Sequence, residues 1–150
     1  MSSLIINTSI SIQKPISEVF DAIVNPEKMV NYFISESSGK MEEGKTLIWK
    51  FPEFETTFPI VVTKIIENQL ITFTWKIGQK DMNVEMNLIE TSAHSTLVKI
   101  TESEMVNDEI GLKWLKGNTE GWANFSACLK AFLEYGINLR KGSFDHIREK

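Results

Sequence analysis

The sequence predicts an α+β fold, a curved antiparallel sheet of about six to seven strands wrapped on a long C-terminal helix. Three observations carry this. Residues 35–104 alternate apolar and polar almost throughout, with short turn-prone breaks. The period changes to that of a helix after residue 118. Two short helical stretches interrupt the chain after its first strand.

Residues 4–13 alternate Leu4, Ile6, Thr8, Ile10 and Ile12 against Ile5, Asn7, Ser9 and Ser11, a strand pattern. Pro15 suits the first turn of a helix, where a missing N–H does no harm. Val19, Phe20, Ile23 and Val24 form its apolar stripe. Asn25-Pro26 ends that helix and begins another, with Asn25 as cap. Leu47–Phe51, Phe58–Val62, Ile71–Ile77, Met82–Leu88 and Val98–Glu102 then alternate as strands. Glu67-Asn68-Gln69, Gly78-Gln79-Lys80-Asp81 and Thr91-Ser92-Ala93-His94-Ser95 separate them, short enough for antiparallel hairpins. Residues 105–117 read as an irregular connection, either a lid or an ordinary loop. Trp122, Phe125, Leu129, Phe132 and Leu133 mark the last helix, with Asn118 or Thr119 as its cap.

No linker, repeat or low-complexity tract divides the 150 residues, so one domain over 1–150 is expected. The net charge of −4 offers no basic footprint, so nucleic acid is not an expected partner. The apolar runs are too short to span a bilayer. A single cysteine, Cys128, and an N-terminus without a basic, apolar leader fit a cytoplasmic setting. Cys128 falls between Phe125 and Leu129 and reads as packed core.

Gly39-Lys40-Met41-Glu42-Glu43-Gly44-Lys45-Thr46 satisfies the P-loop pattern letter for letter. The strand-like Leu47-Ile48-Trp49-Lys50-Phe51 follows where a helix is needed, and two glutamates would repel phosphate. A hairpin turn is expected instead. His94 and His146 have no partners at ligand spacing, so no metal site and no cofactor are expected. No catalytic set is legible either. The single candidate acid is Glu102, which shares a strand face with Val98 and Ile100. Pointing into an apolar cavity, it would serve as a proton donor or ligand anchor. Alternatively, the strand frays there and Glu102 reaches water.

The aromatics carry the main functional expectation. Phe33, Trp49, Phe51, Phe58, Phe73, Trp75, Trp114, Trp122 and Phe125 either line one cavity, with Met82 and Met86 as filler, or fill a solid core.

Five stretches together resemble a known family. They are Lys14-Pro15-Ile16-Ser17-Glu18-Val19-Phe20-Asp21-Ala22, Asn25-Pro26-Glu27-Lys28-Met29 with Phe33, Ile66-Glu67-Asn68-Gln69-Leu70-Ile71-Thr72-Phe73-Thr74-Trp75, Ser95-Thr96-Leu97-Val98-Lys99-Ile100-Thr101-Glu102-Ser103, and Gly121-Trp122 with Phe125, Leu129 and Phe132. In this order they resemble the START-like, birch-pollen-allergen-like superfamily, and within it the branch named for the activator of heat-shock protein 90 ATPase. The resemblance implies a helix-grip fold holding a hydrophobic small molecule between sheet and helix. It also implies two alternatives. One is a module regulating a chaperone ATPase in a stress response, which predicts an exposed patch around Glu53, Phe54, Glu55 and Phe144. The other is a cyclase- or dehydratase-like enzyme using Glu102.

Overall fold

A computed structural model describes residues 2–147. Met1 and residues 148–150, the ends of the expected domain, lie outside the described residues. Strand β1 (Ser3–Ile12) leads to the short helices α1 (Ile16–Val24) and α2 (Pro26–Met29). Strands β2 (Glu36–Ser37), β3 (Thr46–Lys50), β4 (Thr57–Ile66), β5 (Leu70–Ile77), β6 (Lys80–Ser92) and β7 (Ser95–Val106) follow, and then helix α3 (Glu109–Tyr135). All strands pair antiparallel in one sheet of order β1-β7-β6-β5-β4-β3-β2. The sheet curves around α3 without closing, which is the helix-grip arrangement.

Local chemistry explains the breaks. The Asn25 side chain accepts from the Glu27 N–H, and Pro26 occupies the first turn of α2. The β4–β5 turn places Asn68 at φ 60°, and the β5–β6 turn places Gly78 at φ 63°. Residues 38–45 join β2 to β3, so the P-loop-like octet is a hairpin connection.

Alternation sets the core. One row of neighbours across the sheet runs Val62, Phe73, Val84, Glu102, Ile6. All five are buried, and four are apolar. Glu102 is therefore held inside. Its strand runs on to Val106 and does not fray there.

The main difference from the sequence reading lies in 105–117. β7 continues to Val106, and α3 begins at Glu109 with Asp108 as its cap. The Asp108 carboxylate accepts from the Gly111 N–H at 2.8 Å. Gly111 is required there, because a Cβ would stand 1.9 Å from the Val106 carbonyl oxygen. Two glycines and the exposed Ile110 and Leu112 conceal the helical period. The segment is neither lid nor loop, and Asn118 and Thr119 lie inside the helix. With 27 residues, α3 spans about 40 Å. Gly136, at φ 65°, ends it in the left-handed conformation.

Candidate functional site

The sheet and α3 leave a cavity of about 490 Å³ between them. Tyr32 and Phe33 after α2, Phe51 and Phe54 after β3, Phe58 on β4 and Trp75 on β5 line one side. Trp122, Phe125 and Cys128 of α3 line the other. The rings meet mostly edge to face. Phe33 lies 5.4 Å from Trp49, 5.2 Å from Phe51 and 4.7 Å from Phe125.

Six of the twelve residues expected at the site line this cavity: Phe33, Phe51, Phe58, Trp75, Trp122 and Phe125. Trp49, Phe73, Met82 and Met86 do not. They lie on the same inner face, fully buried and packed as solid core. Trp114 is buried toward the N-terminal end of α3, also away from the cavity. The four residues expected in a surface patch, Glu53, Phe54, Glu55 and Phe144, differ in their placement. Phe54 and Phe144 line the cavity, and Glu53 is only 4% exposed. Only Glu55 remains exposed.

Glu102 lies below the cavity floor. Its Oε1 accepts from Trp122 Nε1 at 2.8 Å and Asn118 Nδ2 at 3.1 Å. Its Oε2 accepts from Trp75 Nε1 at 2.9 Å. All three partners are N–H donors that line the cavity. Both carboxyl oxygens act as acceptors, matching a set made only of donors. Among the described residues no cation pairs with it.

Over the mouth passes the segment after α3. Arg140 donates twice to Glu53, from Nη1 at 2.9 Å and Nη2 at 2.7 Å, a bidentate pair. Its guanidinium lies 5.8 Å from the Phe51 ring centre and 5.2 Å from that of Phe144. Phe144, His146 and Ile147 complete the wall. A second hollow of about 370 Å³ shares Tyr32, Phe33, Glu53 and Arg140, so the ion pair borders both.

Sequence reasoning missed Tyr32, Asn118 and Arg140 as site residues and gave Glu53 only to the surface patch. Tyr32 was within reach, one residue before Phe33 on a helical stretch. The Glu53–Arg140 pair was not, since 87 residues separate its members. Cys128 is buried as expected but also touches the cavity. Burial pushes its thiol above the ordinary value, against the pull of Arg140, which is the opposite of an activated nucleophile.

Tyr32 donates its hydroxyl proton to the Ala22 carbonyl at 2.7 Å, and burial raises it well above the ordinary 10.0. The folded form keeps this proton where the unfolded chain loses it. Stability should therefore be intact below pH 10.0 and fall above it, by up to about 1.4 kcal/mol per pH unit until Tyr32 itself ionises. Urea unfolding at pH 9 and 11 checks this. Tyr32→Phe should flatten the difference.

Comparison with known proteins agrees with this geometry. A family model described as Activator of Hsp90 ATPase homolog 1-like protein matches residues 13–134. The chain belongs to this family, within the START-like superfamily. The protein SSP2350 from Staphylococcus saprophyticus is 33% identical, with a TM-score of 0.79 over 89% of this chain and 94% of that one. DynU16, a putative protein in the dynemicin biosynthetic locus, is 21% identical, with a TM-score of 0.78 over 89% of this chain and 48% of that one. The Aha1 dimer from Colwellia psychrerythraea is 22% identical, with a TM-score of 0.75 over 89% and 98%. The last two share the fold. No curated protein matches the chain. Among the described residues, no helix is long and apolar enough to cross a membrane, and no group of acids, histidines and cysteines could hold a metal ion.

Proposed function

We propose that the chain binds a hydrophobic or amphipathic small molecule, lipid-like or polycyclic, between the sheet and α3. The observation that carries this is the 490 Å³ aromatic cavity, within the size range of small-molecule sites. Its wall is mostly apolar, with Glu53, Lys76, Asn118, Glu120 and Arg140 among its polar groups. A ligand burying about 300 Å² of apolar surface there gains on the order of 7 kcal/mol before ordering costs.

The helix supports the reading. Gly117 and Gly121 lie inside α3, where glycine costs about 1 kcal/mol against alanine. Both line the cavity, neither has a positive φ, and an added Cβ meets nothing within 4 Å. A larger side chain at either position would project into open space at the cavity.

A neutral fluorophore, N-phenyl-1-naphthylamine, tests the reading, because Trp75 and Trp122 would transfer energy to it. Saturable one-site binding is expected for the wild-type protein. Gly121→Leu should weaken it at least about tenfold by projecting a side chain into the mouth, while thermal stability holds or rises. Binding that is absent, or indifferent to Gly121→Leu, would sink the proposal.

A further inference from the structure

We infer that the cavity selects an organic cation, an amphiphile with a quaternary or protonated amine, a specificity that rests on the ligand-binding reading above. Two indoles are tied to one carboxylate. Trp75 and Trp122 both donate their ring N–H to Glu102, at 2.9 and 2.8 Å. Their ring centres are 5.7 Å apart, with planes inclined by 36°. An indole whose N–H is held by an anion carries more electron density in its ring, and the face of such a ring attracts a cation more strongly. Here two such rings share one anion, and both line the cavity.

The charge balance points the same way. The lining contains two acids and two cations, Glu53, Glu120, Lys76 and Arg140, with His146 counted as neutral. Arg140 is bound by Glu53, and Lys76 pairs with Asp81 at 3.0 Å. The charges left without a cationic partner among the described residues are Glu120 at the cavity and Glu102 beneath it. The Glu102 carboxylate is fully buried, where water screens it little. Three neutral donors stabilise it without cancelling it. A ligand cation on the indole faces would meet both the ring quadrupoles and this residual charge. An anionic head group would meet the reverse.

The experiment compares three amphiphiles built on a ten-carbon chain by calorimetry, all below their aggregation concentrations: decyltrimethylammonium, 1-decanol and decanoate. The expected order is cation tightest, by at least about tenfold over alcohol, with decanoate weakest. Equal binding of cation and alcohol, or a preference for decanoate, overturns the cation specificity and leaves hydrophobic binding standing. Failure of all three to bind overturns the cation specificity, while N-phenyl-1-naphthylamine binding decides the ligand-binding reading separately. In Glu102→Gln the ratio of cation to alcohol affinity should fall toward one. A preserved ratio would remove Glu102 from the explanation. Should that variant not fold, the wild-type series still decides the specificity.

Discussion

Glu102→Ala should destabilise the protein by about 3 kcal/mol or more, lowering its melting temperature by roughly 6–12 °C. The carboxylate is fully buried in a row of otherwise apolar neighbours, and three N–H donors depend on it. Each donor stranded without a partner costs about 1–3 kcal/mol. The truncation also leaves a gap between Val84 and Ile6, the cross-strand neighbours. Partial relief is available, since Trp75, Asn118 and Trp122 all reach the cavity, where water can enter. For that reason the expected cost lies below the full sum for three orphaned donors. Glu102→Gln should lose less, because one amide oxygen still accepts while the amide nitrogen faces a donor. Urea unfolding of both variants provides the measurement. A loss under 1 kcal/mol for Glu102→Ala would mean that water replaces the carboxylate outright and that it does not fix the two indoles. The alcohol-binding affinity of the same variant separates the roles, because indoles that have lost their anchor should present a looser floor.

The fold was legible in the sequence because burial on one sheet face leaves a mark at every second residue. Ile71, Phe73, Trp75 and Ile77 show it, and so do Val98, Ile100 and Glu102. The identity of the cavity wall was legible only by half, and the reason is geometric. Phe73 and Trp75 share one strand face and one kind of side chain, yet Phe73 is sealed in the core and Trp75 opens onto the cavity. The difference arises from where the sheet diverges from α3, which alternation does not encode. Met82 and Met86 illustrate the same limit, since residues suited to a cavity are also suited to a core. The beginning of α3 was hidden for another reason. Gly111 is demanded by the close approach to Val106, and glycine erases the apolar mark that a helix would otherwise show there. Long-range polar pairing leaves no local signature at all. Nothing near Glu53 announces Arg140, and Glu53 without its partner reads as one more surface acid.

Arg140→Ala should release the segment beyond α3 and raise its proteolytic cleavage at Phe144 at least about tenfold. The chain leaves α3 at Gly136, and Ile137 and Leu139 are about half exposed, so little apolar burial holds the first residues. Docking then depends on Arg140, held by two hydrogen bonds to Glu53 and placed between the Phe51 and Phe144 rings. Removing one member of a buried ion pair costs about 3–5 kcal/mol when the other charge stays buried. Here the remaining Glu53 has an escape, because the segment covering it can swing away and admit water. The cost is thereby capped at the energy of undocking the segment, and the loss should show as local opening more than as global unfolding. Limited chymotrypsin digestion reads the opening, and a thermal melt reads the global effect, which should be smaller than for Glu102→Ala. Arg140→Lys should restore protection only in part, since an ammonium cannot reproduce the two parallel hydrogen bonds. Cleavage unchanged in Arg140→Ala would show that the aromatic contacts of Phe144 hold the segment without the ion pair. A large drop in melting temperature with no local opening would make the segment an integral part of the core. Between these outcomes stands the expected one, in which cleavage at Phe144 rises while the melting temperature changes little, because the contacts that Arg140 makes hold the segment and not the core.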